Sequence, residues 1–162
     1  TTEIAKELSN FFIEIIVAPS FTKESLEIFS SKKNLRVIEL VSLDGFNDKT
    51  SVRNINGGLL LQETDTFTVD AKSLKIVTDS KISPNTYGTI EFGWTVLKYI
   101  KSNGILIVKN NATLGVGAGQ VSRIDSVDIA ITKASGDIKD SILLSDAFFH
   151  SETVLIKLLK VE

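Results

Sequence analysis

Apolar residues in the first stretch of the chain recur at helical spacing. Ile4, Leu8 and Phe11 or Phe12 fall on one face and predict a helix over residues 1–12. IEIIVA (13–18) is short and β-branched, is closed by Pro19, and predicts a buried strand. Thr22 then caps a second helix with Leu26 and Phe29 on its buried side. LRVIELV (35–41) predicts the next strand. Strand, short helix, strand is a βαβ pattern, which predicts a parallel sheet with helices on its faces. Residues 42–56, with Asp44-Gly45 among them, read as polar and turn-rich, and GGLLLQ (57–62) as a strand. Residues 64–83 read as a connection with one short strand near 75–77, and Pro84-Asn85 as a turn.

The second half is more regular. Residues 86–101 predict a helix with Ile90, Trp94 and Leu97 along one stripe. Asn103-Gly104 closes it, 105–109 is a strand, Asn110-Asn111 turns, and 113–116 returns as its hairpin partner. Gly115, Gly117 and Gly119 read as a loop. Ser122, with Asp125 three residues on, opens a helix that buries Ile124, Val127, Ile131 and Ala134 and ends at Gly136. A strand at 141–144 and a helix at 153–159 finish the chain. No internal repeat interrupts this order, so 1–162 is expected to form a single domain, with 1–56 as a βαβ element leading into a main lobe at 57–162.

Composition narrows the function classes. The chain has 162 residues, 43% hydrophobic and 23% charged, enough for one sizeable core. Net charge is −2, without the basic excess that grips a phosphate backbone, so nucleic acid is not an expected partner. No apolar run reaches the roughly 18–20 residues of a membrane helix, and no basic-then-apolar leader opens the chain. Cys is absent and His occurs once, which removes a disulfide framework, a Cys-based zinc site and the zinc deaminase centre. A cytoplasmic protein is the expectation. The chain starts Thr1-Thr2 and holds no Met, as a piece trimmed from a longer one would.

Four features could carry chemistry. The run Leu114-Gly115-Val116-Gly117-Ala118-Gly119-Gln120 has two readings: backbone N–H groups cradling a ligand before a helix, or a strand-to-helix turn needing positive φ. It matches neither the dinucleotide fingerprint, because Gln120 replaces the third glycine, nor a P-loop, because the Lys is missing. Arg123 puts a cation at a helix N-terminus, a misfit with the dipole of a few tenths of a kcal/mol. Asn103 fits a left-handed helix end as well as a site. His150 has no identifiable orienting acid for a Ser–His pair and reads as solvent-facing.

Taken together these features resemble a known signature. KSNGILIVKNNATLGVGAGQVSRIDS (101–126) resembles the AICAR transformylase pattern of an Asn after a helix, a strand with Val-Lys, then G-x-G-A-G-Q-x-S-R. IIVAPSFTKESLEIFSSKKNLRVIE (15–39), GGLLLQETD (57–65) and SDAFF (145–149) resemble three further elements of that family in the same order. The resemblance implies a cytidine-deaminase-like, three-layer α/β/α lobe with a mixed, mainly parallel sheet and no zinc. It implies transfer of a formyl group from 10-formyltetrahydrofolate to AICAR. Asn103 would bind AICAR and hold the transfer geometry, its amide able to donate to an oxygen and accept from an amine. Arg123 would contact AICAR, Phe148 would line the nucleotide pocket, Ser20 stands where the family has a nucleotide-facing Gly, and Ile124 would pack near the folate.

The departures are specific. The family's Lys-His pair, in K-H-x-x-P-x-G, has no counterpart here, and SDAFF is followed by His150-Ser151-Glu152 instead of Pro-Phe-x-Asp. That pair supplies the main proton-transfer and oxyanion groups, so the chain by itself is expected to be catalytically incomplete, with a homodimer or a complementary chain supplying the rest. A non-catalytic homologue that binds a purine ribotide is the alternative, and a domain that kept only the fold is the third.

Overall fold

Pro19 and Thr22 shape the first crossover. In the computed structural model, which describes residues 1–42, 49–79, 82–136 and 138–147, the chain forms two compact units, Thr1–Asp65 and Thr66–Glu162. In the first unit, helix α1 (Thr2–Ser9) leads to strand β1 (Ile15–Ala18), helix α2 (Lys23–Ser30) and strand β2 (Arg36–Glu39). β1 and β2 pair in parallel with Ile15 opposite Arg36, as the βαβ pattern predicts. The Thr22 side chain accepts from the Ser25 backbone N–H, satisfying one of the amides that a helix start leaves without an intrahelical partner. α1 packs on α2, with Ala5, Ser25 and Phe29 buried between elements and Phe21 edge-on to Phe29 at 6.3 Å.

Four expectations for this unit are corrected. α1 stops at Ser9, leaving Phe11 and Phe12 exposed. β1 is not fully buried, because Ile15 and Val17 are about half exposed on one face of a two-stranded sheet. Leu26 is likewise exposed, and Ser25 takes the buried position beside Phe29. The fourth concerns residues 50–55, read as polar connection: they are strand β3 (Thr50–Ile55), antiparallel to β4 (Gly58–Glu63). Ile55 opposes Gly58, so Asn56-Gly57 is the whole turn, and Gly57 takes φ of +81°. Asn-Gly between strands is a strong hairpin signal. It was masked by the polar residues of β3, both faces of which are exposed. Asp44-Gly45 lies outside the described residues.

The second unit is built around strand β5 (Ile105–Lys109), the central member of an antiparallel sheet ordered β6 (Ala112–Gly117), β5, β7 (Ile142–Ser145). Helix α3 (Thr86–Leu97) covers one face and helix α4 (Arg123–Lys133) the other. Alternation along β5 divides the core in two. Ile105 and Ile107 pack with Val127, Ala130 and Ala134. Leu106 and Val108 pack with Leu97 and Leu144. The result is a three-layer α/β/α arrangement. Its strand pairs are antiparallel, and only β1 and β2 pair in parallel among the described residues, so a mainly parallel sheet does not describe them.

Local details differ from the pattern in three places. Residues 75–77 form no strand; a single 3₁₀ turn at Ala71–Ser73 precedes them, its first N–H donating to Glu91 Oε1 at 3.1 Å. α3 buries Thr89, Gly93 and Leu97, a stripe rotated from the expected one, and Trp94 is 37% exposed. Gly93 sits where a Cβ would meet Leu144 at 2.6 Å, which draws the helix onto the sheet at that turn. Ser122 is the N-cap of α4 but makes no side-chain cap bond. α4 itself buries Val127 and Ala134 as expected, with Ile124 and Ile131 packed alongside and Ser126 and Ala130 added. No described helix is long and apolar enough to cross a membrane.

Candidate active-site cluster at Asn103, Arg123 and Asp146

The glycine run does not form a ligand cradle. Gly115 and Gly117 lie inside β6, opposite Ile107 and Ile105, and face α4. A Cβ on Gly115 would stand 1.9 Å from the Ala130 carbonyl oxygen, and one on Gly117 1.9 Å from that of Ser126. These glycines let helix backbone rest directly on strand backbone. Gly119 alone of the three has positive φ, +68°, and its N–H donates to Lys101 O at 2.8 Å. The close approach of α4 and this tie bring the α4 N-terminus beside the segment entering β5.

Three distant pieces of sequence meet there. Asn103 precedes β5 and follows a cis Ser102–Asn103 peptide. Its Nδ2 donates to Gln120 O at 3.0 Å and to Val121 O at 2.9 Å. Its Oδ1 accepts from Arg123 Nη2 at 2.7 Å. Its own backbone carbonyl accepts from Ser126 Oγ at 2.6 Å, which satisfies a fully buried hydroxyl. Arg123 Nη1 donates to Ser145 Oγ at 3.0 Å and to the Asp146 carboxylate, at the end of β7. Ser145 Oγ in turn donates to Ala147 O at 2.6 Å.

Asp146 is the electrostatic counterpart of the cluster. Burial opposes its ionisation, but bonds from the Ser102 side chain, Arg123 and the Gly104 backbone N–H, with the Arg123 charge, hold its carboxyl below the usual carboxylate range. Its backbone N–H also donates to Gly104 O at 3.2 Å. Arg123, unfavourable beside the α4 dipole, is thereby answered by an anion. Its Nε–H and second Nη2–H have no protein acceptor among the described residues and can serve a ligand oxygen.

Of the residues expected at a site, Asn103 and Arg123 are joined directly. The amide donors of Asn103 are both committed to backbone carbonyls, so what it offers a ligand is an oxygen acceptor. That oxygen is already shared with Arg123. Ile124 packs against the core between α4 and the sheet. Ser20 is exposed beyond β1, in the other unit. Phe148 and His150 lie outside the described residues, as does the expected helix at 153–159. Sequence reasoning missed Ser102, Ser126, Ser145 and Asp146. Only Ser145 and Asp146 left a signal, as the first two letters of SDAFF.

Residues 1–133 match the family model described as AICARFT/IMPCHase bienzyme. The bifunctional purine biosynthesis protein PurH of Anoxybacillus flavithermus is 41% identical over 153 residues, 94% of this chain and 30% of that protein. PurH of Bacillus thuringiensis and PurH of Bacillus anthracis are each 42% identical over 145 residues, 90% of this chain and 28% of theirs. The chain thus spans under a third of the length of these relatives. The matched span includes Asn103 and Arg123, and on that match the chain belongs to the AICARFT/IMPCHase bienzyme family.

Proposed function

We propose that this chain supplies part of an AICAR formyltransferase site, moving a formyl group from 10-formyltetrahydrofolate to the exocyclic amine of AICAR in purine (IMP) biosynthesis. The observation that carries this reading is the bond from Arg123 Nη2 to Asn103 Oδ1, 2.7 Å across twenty residues of sequence. The two residues that the family resemblance assigns to AICAR form one polar group where the chain enters the central strand β5. The amine of AICAR is a weak nucleophile because its lone pair is conjugated towards the carboxamide. Catalysis has to orient two substrates, take up a proton and stabilise an oxyanion. Asn103 and Arg123 serve the first need. An acceptor oxygen on Asn103 faces an amine N–H, and the free N–H groups of Arg123 face a ribotide oxygen.

The remaining assignments follow the resemblance. Ser20 meets the nucleotide through its backbone, Phe148 lines the nucleotide pocket, and Ile124, half-buried against the core, offers its outer edge to the folate. The second unit belongs to a cytidine-deaminase-like lobe of a cytoplasmic enzyme, consistent with its α/β/α layering. No metal takes part. A Lys-His pair comes from sequence outside these 162 residues or from another chain, a homodimer partner included.

A second reading is a purine-ribotide binder without transferase activity. Calorimetry with AICAR, and turnover with AICAR and 10-formyltetrahydrofolate, test both. Binding without turnover by the chain alone is expected. Robust turnover would remove the need for the Lys-His pair, and no heat at millimolar AICAR from folded protein would sink both readings.

A further inference from the structure

Arg123 makes contact with Asn103 through one nitrogen only, and what sets the angle of its guanidinium lies elsewhere. The fork is planar, so fixing Nη1 fixes where Nη2 and Nε point. Nη1 is fixed twice, by Ser145 Oγ at 3.0 Å and by the Asp146 carboxylate. Neither acceptor is free to swing. Ser145 Oγ is tied to Ala147 O, and Asp146 is held by Ser102, by the Gly104 N–H and by its own N–H bond to Gly104 O. The Arg123 and Asp146 side chains are 15% and 21% exposed, sheltered enough for the pair to outlast exchange with solvent.

We propose that Asp146 is a positioning residue for the ribotide site: through Nη1 it orients Arg123, so that Nη2 stays on Asn103 and the remaining guanidinium N–H groups are presented to a purine ribotide. Only the identity of the ligand rests on the proposed function; the orientation of Arg123 stands on the geometry. Asp146 touches no ligand in this role. Its loss acts on the ribotide by letting the guanidinium rotate and Asn103 Oδ1 lose its donor.

Nitrogen-15 NMR of the full chain reads the guanidinium directly, with the Arg123 Nε–H signal assigned by its disappearance in Arg123→Lys. In Asp146→Asn that signal is expected to shift, and rotation of the guanidinium, restrained in the wild type by the bonds at Nη1, to become at least about ten-fold faster, while backbone amides beyond the cluster keep their positions. AICAR affinity is expected to fall about ten-fold in the same variant, and Asp146→Glu to recover part of both effects. An unchanged Arg123 signal in Asp146→Asn overturns the proposal, and so does a loosened guanidinium with wild-type AICAR affinity. If the wild-type chain binds no AICAR, the proposed function fails, and the Arg123 signal by itself still decides whether Asp146 orients the guanidinium. Asp146→Ala adds a more severe variant, and the inference does not depend on its folding.

Discussion

Gly117 and Ser126 stand closer than two residues with side chains can. A Cβ built on Gly117 would lie 1.9 Å from the Ser126 carbonyl oxygen, well inside contact distance. That carbonyl belongs to the α4 backbone and has no rotamer with which to move aside. Gly117→Ala must therefore lift α4 from β6, opening the core around Ile105 and Val127. We expect a stability loss of about 1–3 kcal/mol, or more if the displaced helix fails to repack. Gly115→Ala, against the Ala130 carbonyl, should behave alike. Gly88, in α3 with nothing within 4 Å of its would-be Cβ, is the control: Gly88→Ala should stabilise by about 0.5–1 kcal/mol. Urea midpoints of the three variants check this, and a neutral Gly117→Ala would refute the packing argument.

The turn between β5 and β6 gives an independent prediction. Lys109 pairs with Ala112, leaving Asn110 and Asn111 as the whole loop, with φ of 51° and 58°. Two consecutive left-handed residues make the type I′ turn that suits strand twist. Asn tolerates this conformation better than any other side chain except none at all. Asn111→Ala should cost about 1–2 kcal/mol in urea unfolding, and Asn111→Gly should be neutral or stabilising. Equal losses in both would mean that the Asn side chain, and not the backbone angle, stabilises the turn.

The lowered pKa of Asp146 makes stability depend on pH in a defined direction. The folded carboxyl ionises below its usual value, so the unfolded chain binds more protons as pH falls through about 4. The contribution of Asp146 is fully present above that value and is lost as pH drops through the folded pKa. The stability gap between wild type and Asp146→Asn should therefore be wider at pH 6 than at pH 3. Unfolding curves at the two values measure it. A gap undiminished between pH 6 and pH 3 would assign the effect to shape and not to charge.

How much of this was legible in the sequence depends on what each residue answers to. The βαβ element, the Thr22 cap, the Asn110-Asn111 turn and the stripe on α4 are local, and local rules found them. β3 was missed because its polar residues face solvent on both sides, so no alternation marks it, although Asn56-Gly57 stood in the open. The purpose of Gly115 and Gly117 was hidden for the opposite reason. A glycine needed for positive φ and one needed for close packing look the same until the packing partner is known. Asn103 and Arg123 stood out locally only as a helix end and a cation against a dipole; their shared role came from a family resemblance, and nothing local joins them. SDAFF marked the position of Asp146 but not its role, because its meaning lies in Ser102, Gly104 and Arg123, three residues from two other segments.

Arg123→Lys tests the cluster at its centre. Arg123 serves Asp146 and Ser145 with one nitrogen and Asn103 with another. A lysine ammonium is a single point on a flexible stem and cannot reproduce the fork. It should stay with the Asp146 carboxylate, where the charge is, and abandon Asn103 Oδ1. A loss of about 1–2 kcal/mol is expected, mostly the missing bond to Asn103. A double-mutant cycle isolates that bond. Asn103→Ala should cost much less on the Arg123→Lys background than on the wild-type one, by about 0.5–3 kcal/mol. Asn103→Ala also removes the ties to Gln120 and Val121, which both backgrounds share, so their loss cancels in the cycle. Strictly additive losses in urea unfolding would show that Arg123 and Asn103 are neighbours without being coupled.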